Sequence, residues 1–219
     1  MLRETTPTRL PGVTAPEANQ FGWFDCNNPV HWDGDTMYAF FSTGQPYRSF
    51  GPDMFQLSDP SQRTAFDNDD QWQGGRWMEA TFKDDNGLLY GWYHHEQVGI
   101  CPQRQEQGKK TITAPRIGAA VSEDNGLHWR DLGIVLETPA RDSLNCDTEN
   151  DAFAGGEGDF SVILDHDKKY FYFFFDNYHK DIRLQGVCVA RMRYEDRDEP
   201  AGKVFKLSLI HISEPTRPY

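Results

Sequence analysis

The chain has 219 residues and a formal net charge of −12 at pH 7, which argues against a nucleic-acid partner, because such a partner requires a basic face. Apolar residues make up 37 % of the sequence and aromatic residues 14 %, with 19 glycines and 13 prolines, a mix that favours many short strands and turns over helices. No run of about 18 apolar residues occurs, which argues against a membrane span.

The sequence begins with a Pro/Thr-rich lead-in, residues 1–20, for which we expect little regular structure. This segment has no apolar stretch and therefore predicts no signal peptide. An extracellular protein that had lost its signal peptide would look the same, so a secreted or periplasmic location stays open.

Three later segments share one pattern: a short apolar strand, a turn rich in Asp, Asn or Gly, and an aromatic strand. They are residues 27–42, 79–94 and 159–174, and each predicts a β-hairpin. When the three are aligned on the tyrosine of the second strand, the residue eleven positions earlier is Asn27, Glu79 or Asp159. A polar group therefore occupies the same place at the start of each hairpin.

Further strands are predicted between and after the hairpins, so that each repeat has about four strands. In chain order the predicted strands are 29–32, 37–42, 50–57, 63–66, 78–82, 88–94, 117–122, 132–136, 160–164, 170–175, 186–193 and 203–206. Polar loops are predicted at 67–75, 101–110 and 140–158, and no helix is predicted.

Four-stranded modules repeated around an axis define a β-propeller. The predicted fold class is therefore all-β, a propeller fragment of about three blades in one domain over residues 21–206. A β-sandwich is the alternative, but a sandwich gives no reason to repeat a polar group at the start of each hairpin.

Residues 122–129 read SEDNGLHW and fit the pattern S-x-D-x-G-x-x-W. Ser and Asp side chains can hydrogen-bond the turn backbone, Gly supplies a positive φ, and Trp packs over the turn. The pattern resembles the Asp box of sialidases and many other propellers, which joins the third and fourth strands of a blade. We therefore expect Asp124 to be structural and to lie on the face opposite a ligand.

The last segment, residues 207–219, reads LSLIHISEPTRPY and has no relation to the repeat. It closely resembles the peptide encoded by a sequencing-library adapter translated in frame, as found at the ends of metagenomic reading frames. We expect it to be non-native, with the natural protein continuing in further blades, and exclude it from fold reasoning. A genuine C-terminal strand and tail is the alternative.

The four cysteines are spread along the chain, and none forms a C-x-x-C pair, which argues against a zinc site. They are Cys26, Cys101, Cys146 and Cys188. Buried free thiols are favoured over one or two disulfides. Asp-rich hairpin turns could bind calcium, but plain turns are favoured, so we expect no metal and no cofactor.

With its strand-start acids, its aromatic second strands and the segment IGAAVSEDNGLHW, the chain resembles the five-bladed propeller glycosidases, which include arabinanase, xylosidase and invertase-like enzymes. The likeness covers about three of five blades. In that family, carboxylates at the starts of the innermost strands of the first three blades are catalytic. The resemblance thus implies that Glu79 and Asp159 are catalytic in blades two and three.

In blade one the implied acid is Asp25, two positions before Asn27, which a bulge of one or two residues would bring to the axis. Glu157 is a rival for the acid of blade three. We expect one acid to protonate the leaving oxygen while another activates water or attacks the anomeric carbon. Asp25 is predicted to be base or nucleophile, Glu79 to be acid or pKa-tuning partner, and Asp159 to take the remaining role.

Propeller topology brings the starts of inner strands and the ends of second strands to one face. Carboxylates, imidazoles, amides and an arginine gathered there suit a carbohydrate. The predicted substrate-binding residues are Asn28, His95, Glu96, Arg116 and Glu157. His94 is expected to point inward and pack.

Two alternatives to a glycosidase stay open. The first is a non-catalytic carbohydrate-binding propeller, which Asn27 in the aligned position favours slightly. The second is a sialidase-like enzyme, suggested by the Asp box. That enzyme would need three arginines and a Tyr–Glu pair, and only Arg116 and Arg183 are suitable.

Overall fold

A computed structural model describes residues 25–71, 73–138, 144–149 and 152–207. The predicted boundaries at residues 20–21 and 206–207 fall at or near the edges of this range. The lead-in and residues 208–219 lie outside the described residues, so the domain division stays a prediction. Within the described part of the chain, no helix is long and apolar enough to cross a membrane.

The first sheet is a four-stranded antiparallel meander in the order β1-β2-β3-β4. Its strands are β1 (Val30–Asp33), β2 (Thr36–Ser42), β3 (Pro46–Gly51) and β4 (Gln62–Arg63). The predicted strand 50–57 is wrong, because β3 ends at Gly51 and the chain turns there. Asp53 closes that turn, since its side chain accepts hydrogen bonds from the backbone N–H of Phe55 and the amide of Gln56.

The second sheet has five strands in the order β5-β9-β8-β7-β6. They are β5 (Ala65–Phe66), β6 (Gly74–Lys83), β7 (Leu89–Gln97), β8 (Arg116–Ser122) and β9 (His128–Leu136). The single strand predicted at 63–66 is in fact two. Its first half is β4 of the first sheet, and its second half, β5, pairs in parallel with β9. The connection therefore ties the two sheets together.

The third sheet is again a four-stranded meander, in the order β10-β11-β12-β13. Its strands are β10 (Glu157–Leu164), β11 (Tyr170–Asn177), β12 (Gly186–Arg193) and β13 (Val204–Lys206). Two short 3-10 helices, Ile182–Leu184 and Tyr194–Asp196, flank β12. The all-β class and the succession of blade-like sheets are confirmed.

One helix, α1 (Gln103–Glu106), lies in the predicted polar loop 101–110. It is a single turn that follows Pro102, whose φ of −61° already suits a helix start. Such a short turn carries no amphipathic period, which is why the sequence pattern does not reveal it.

The inner strands meet side by side, since β6 contacts both β1 and β10. Aromatic side chains fill the spaces between sheets. Trp92 of the second sheet packs on Phe171 of the third, with ring centroids 4.9 Å apart, and Phe40 of the first sheet packs on Trp129 of the second at 5.8 Å. Burial of these rings holds neighbouring sheets together.

The turn between β8 and β9 contains the S-x-D-x-G-x-x-W segment. The hydroxyl of Ser122 donates to Asp124, whose carboxylate also accepts from the backbone N–H groups of Leu127 and His128. Arg48 of the first sheet donates to the carbonyl of Asp124 at 2.7 Å. This turn lies at the opposite end of β8 from Arg116, so Asp124 is a structural residue that fixes the turn and joins two sheets.

The expectation of free thiols is wrong for one pair, because Cys101 and Cys146 form a disulfide. The two residues are 45 positions apart and come from separate loops, so their spacing gives no hint of the pairing. Cys26 and Cys188 are free and half-buried.

Candidate active site

The inner strands β6 and β10 each contain a β-bulge, and the extra residue is an acid in both. The pairing of β6 with β7 shifts between Met78 and Ala80, which leaves Glu79 without a residue opposite it. The pairing of β10 with β11 shifts in the same way around Asp159, whose φ is +41°. A bulge re-aims the side chain of its extra residue, so both acids leave the regular alternation of their strands.

The two bulged acids meet at a histidine of β7. One polar atom from each of Glu79, His94 and Asp159 lies within 4.8 Å of the others. His94 Nδ1 accepts a 3.3 Å hydrogen bond from the backbone N–H of Asp159, and its Nε2 lies 3.4 Å from Glu96 Oε1. Strand β10 comes this close because Gly158 lacks a side chain: a Cβ there would lie 2.6 Å from His94 Cε1.

Glu79 is the buried acid of the cluster, with 5 % of its surface exposed. Burial raises its pKa to about 7, and the charges of Asp159 and Asp25 act in the same direction. The backbone N–H of Asn27, which donates to Glu79 Oε2 at 3.1 Å, and the nearby His94 oppose the shift. A carboxyl group with such a pKa holds a proton near neutral pH and can donate it.

Asp159 has very different surroundings, because 57 % of its side chain is exposed. The hydroxyl of Tyr178 donates to Asp159 Oδ2 at 2.5 Å. Burial and this hydrogen bond raise the pKa of Tyr178 above its usual range, so the tyrosine stays a donor. Burial and the charge of Asp159 also raise the pKa of Asp176 on the next strand.

Glu79, Asp159 and Asp176 line an open pocket of about 420 Å³, which is bounded by the segment before β1, by β6 and by the third sheet. The lining residues are Asp25, Cys26, Asn27, Glu79, Asp159, Phe160, Ser161, Phe174, Asp176 and Val187. Asp25 is exposed there. Burial and the nearby Glu79 raise the pKa of Cys26 to about 12, so its thiol is not ionised at neutral pH.

Asn27, in the aligned position of blade one, joins neighbouring sheets through two hydrogen bonds. Its backbone N–H binds Glu79, and its side-chain amide donates to the carbonyl of Phe160 at 2.8 Å. It therefore connects the first, second and third sheets at the axis. Asn28 next to it is exposed and lies outside the pocket lining.

Glu157 points away from the cluster although it is only two residues from Asp159. It is buried and forms an ion pair with Lys206 of β13. Burial raises its pKa, and the charge of Lys206 opposes that shift. Because Asp159 is itself the extra residue of the bulge, its side chain does not share the direction of Glu157.

His95 of β7 and Arg116 of β8 bind each other and do not line the pocket at the axis. His95 Nδ1 accepts from Arg116 Nε at 3.0 Å, and His95 Nε2 is 3.0 Å from the carbonyl of Gln73. Burial lowers the pKa of His95 to about 4, so its ring is neutral. Arg116 also reaches Glu137 at 3.4 Å.

Of the predicted site residues, the structure thus brings together Asp25, Glu79 and Asp159 and places Glu96 beside them through His94. Sequence reasoning missed the part played by His94 and Tyr178. His94 is packed inward as expected, but it also contacts Asp159. The sequence did contain one indication of their role, because His94 and Tyr178 both lie near the ends of second strands.

The same three side chains, Glu79, His94 and Asp159, could hold a divalent cation, because carboxylate oxygens and an imidazole nitrogen are suitable ligands. A bound cation would keep Glu79 ionised and so remove it as a proton donor. Metal binding and acid catalysis are therefore exclusive uses of this cluster, and the expected absence of a metal stays a prediction.

No protein-family model and no curated protein match the chain. Solved structures match it in fold. A thermostable family-43 glycoside hydrolase aligns with a TM-score of 0.54 and 13 % identity, over 83 % of this chain and 52 % of that one. An exo-β-1,3-galactanase from Phanerochaete chrysosporium, in complex with β-1,3-galactotriose, aligns with a TM-score of 0.50 and 13 % identity, over 91 % and 41 %.

The galactanase in complex with galactose gives the same TM-score of 0.50 at 12 % identity, over 85 % of this chain and 39 % of that one. At such identities the likeness concerns the fold. The chain spans about half, or less, of the length of these solved structures. The resemblance inferred from the sequence is confirmed at this level: the chain has the fold of the family-43 glycoside hydrolases, which are five-bladed β-propellers.

Proposed function

We propose that the chain is part of a glycoside hydrolase-like propeller that cleaves a glycosidic bond in a poly- or oligosaccharide with its axial carboxylates. The observation that carries this proposal is the state of Glu79. It is buried, its pKa is raised to about 7, and it lies beside a second carboxylate in an open pocket. Such a carboxyl group is suited to protonate the leaving oxygen of a glycoside.

The spacing and the charges of the acids support a division of the remaining roles. Oxygen atoms of Glu79 and Asp159 lie within 4.8 Å, closer than the roughly 6.5–9.5 Å that leaves room for water in an inverting acid–base pair. This spacing is near the roughly 5–5.5 Å of a retaining pair, but the charge of Asp159 raises the pKa of Glu79, so we assign Asp159 as the partner that tunes Glu79. Asp25, exposed in the same pocket, is the group left to act as base or nucleophile.

A carbohydrate also suits the pocket walls. Phe174 and Val187 are exposed apolar side chains that can pack against the C–H face of a sugar ring, and the carboxylates can accept hydrogen bonds from its hydroxyl groups. Because the galactanase was solved with galactose and galactotriose, β-1,3-linked galactosides are the first substrates to test.

The contacts give less support to the two alternatives, a non-catalytic carbohydrate-binding propeller and a sialidase-like enzyme. Asn27, which favoured a carbohydrate-binding propeller, has its side chain bound to the carbonyl of Phe160. Arg183 pairs with Asp181, and no arginine is among the described residues that line the pocket. A sialidase-like enzyme would need arginines there.

The test is hydrolysis of β-1,3-galactan, arabinan, xylan and the corresponding nitrophenyl glycosides by the chain and its Glu79→Gln variant. We expect Glu79→Gln to lower turnover by about 10²–10⁴-fold and to retain sugar affinity. Glu123→Gln, at an exposed turn, is the matched control. Hydrolysis that survives Glu79→Gln would remove this residue from the mechanism. Sugar binding without bond cleavage by the wild type would favour the binding propeller.

A further inference from the structure

Asp159 has a backbone conformation that its neighbours must hold in place. Its φ is +41°, in the left-handed region that residues other than glycine rarely adopt. Its side chain is mostly exposed, so packing alone does not fix the direction of the carboxylate. Strained residues of this kind persist only where surrounding contacts hold them. The hydrogen bonds of Asp159 therefore indicate which groups fix its place in the axial site.

Two ring side chains hold Asp159. His94 Nδ1 accepts a hydrogen bond from the backbone N–H of Asp159, so this histidine fixes the main chain of the bulge. The hydroxyl of Tyr178 donates to Asp159 Oδ2 at 2.5 Å, a short distance typical of a bond to a charged oxygen. His94 Nδ1 lies 3.7 Å from Oδ1, beyond hydrogen-bond distance. The direction of the carboxylate is therefore set by Tyr178.

Tyr178 is itself held by the segment that precedes β10. Its backbone N–H donates to the carbonyl of Gly156 at 2.9 Å. Its ring packs against Phe153, with ring centroids 4.6 Å apart. Contacts to both the backbone and the ring therefore orient the hydroxyl group of Tyr178 before a ligand binds, and a group oriented in advance needs little ordering.

The residues on either side of Phe153 pair with Thr113. The backbone N–H of Thr113 donates to the carbonyl of Ala152 at 3.0 Å, and the carbonyl of Thr113 accepts from Ala154 at 2.8 Å. The hydroxyl of Thr113 donates to the carbonyl of Gln97, the last residue of β7, at 2.9 Å. Phe153 is therefore joined through Thr113 to the second sheet, although Tyr178, which it supports, follows a strand of the third.

We propose that Tyr178 is a positioning residue of the axial site, whose hydroxyl group fixes the Asp159 carboxylate beside Glu79. Phe153 supports this role by holding the tyrosine ring. The effect of one charge on another depends on the distance between them, so a carboxylate that rotates away from Glu79 acts on it less strongly. Tyr178 does not line the axial pocket and acts through Asp159. This inference rests on the proposed function and deepens it.

The experiment compares kcat and KM of the wild type and of Tyr178→Phe on the substrate that the wild type cleaves fastest. We expect kcat to fall about tenfold, because one hydrogen bond to a charged group is lost. KM should be nearly unchanged, since the pocket lining is intact, and the melting temperature should change little. Tyr172→Phe is the matched control, because Tyr172 lies on β11 outside the pocket lining and its loss of a hydroxyl should leave kcat unchanged.

A second variant, Phe153→Leu, keeps the tyrosine hydroxyl and removes the ring that supports it. It should lower kcat less than Tyr178→Phe does. The double variant should be no slower than Tyr178→Phe alone, because Phe153 acts through the hydroxyl that is already missing. Additive losses of kcat, as for independent sites, would contradict the role given to Phe153. A purely structural role would lower the melting temperature and leave kcat unchanged.

Carbon NMR gives a readout that does not depend on turnover. The Cζ signal of Tyr178 should shift in Asp159→Ala, which removes the acceptor of its hydroxyl, while the Cζ signal of Tyr172 should not. An unchanged Tyr178 signal, or an unchanged kcat in Tyr178→Phe, would overturn the inference and leave the axial mechanism standing. The proposed function fails by a different result, which is hydrolysis that persists in Glu79→Gln.

Discussion

Glu79 and Asp159 are the extra residues of two β-bulges on neighbouring inner strands, and their carboxylate oxygens lie within 4.8 Å of each other. Glu79 is buried, whereas most of the Asp159 side chain is exposed. Two carboxylates at this distance do not ionise independently, and burial favours the neutral form. When the two carboxyl groups share a single proton, Glu79 therefore holds it.

The raised pKa of Glu79 has a consequence for stability. Its pKa is about 7 in the folded protein and near 4.5 in the unfolded chain. Between these values the folded state binds more protons, so the free energy of unfolding falls as pH rises from 4.5 to 7. The loss is on the order of 3 kcal/mol. Because glutamine does not titrate, Glu79→Gln should lack this loss and should be the more stable protein at pH 8.

Urea unfolding at pH 4.5 and pH 8 measures this difference. Glu123→Gln is the control and should follow the wild type at both pH values. The same pH dependence in wild type and Glu79→Gln would contradict a buried, protonated Glu79.

Asp159→Asn should lower the pKa of Glu79, because it removes a negative charge that raises that pKa. We expect kcat/KM of the wild type to fall as pH rises above about 7, where Glu79 loses its proton, and this fall to begin at lower pH in Asp159→Asn. Turnover at the optimum should also drop by about tenfold or more. The pH profile and a carbon NMR titration of the Glu79 carboxyl group report the shift independently.

Asp176→Asn is the control for that titration, since Asp176 lines the same pocket but is not among the main groups that act on Glu79. An unchanged Glu79 titration in Asp159→Asn would mean that the two carboxylates do not interact.

The Cys101–Cys146 disulfide closes a loop with a sequence separation of 45 residues. Its reduction should lower the free energy of unfolding by about 2–4 kcal/mol and the melting temperature by roughly 5–15 °C. Thermal unfolding with and without dithiothreitol measures this effect. A Cys26→Ser/Cys188→Ser double variant should keep the response to reductant, and a Cys101→Ser/Cys146→Ser double variant should lose it. Equal melting of the reduced and oxidised wild type would contradict a stabilising role.

Asp124→Ala should destabilise the protein by about 2 kcal/mol, because it removes several hydrogen bonds within the β8–β9 turn. Turnover should be unchanged, since this turn lies at the opposite end of β8 from the site. Glu123→Gln in the same turn is the matched control for chemical denaturation. A loss of turnover in folded Asp124→Ala would place this turn in the mechanism.

The sequence by itself determined the strands, the hairpin turns and the common offset of Asn27, Glu79 and Asp159, because alternation and turn chemistry are local properties. Because this offset repeats in three hairpins, the sequence also indicated that the hairpins begin around a common axis. It was less informative for short or irregular elements, such as the division of residues 63–66 between two sheets.

Only the tertiary structure decided where each side chain points. A bulge inserts a single residue into a strand, and whether it forms depends on pairing with the neighbouring strand. The bulge is the reason that Asp159 faces Glu79 while Glu157 faces Lys206. Packing between sheets likewise decides that Asn27 binds Glu79 and Phe160. The approach of two loops decides that Cys101 pairs with Cys146. Each of these contacts joins residues distant in sequence, whose approach is set by the packing of whole sheets.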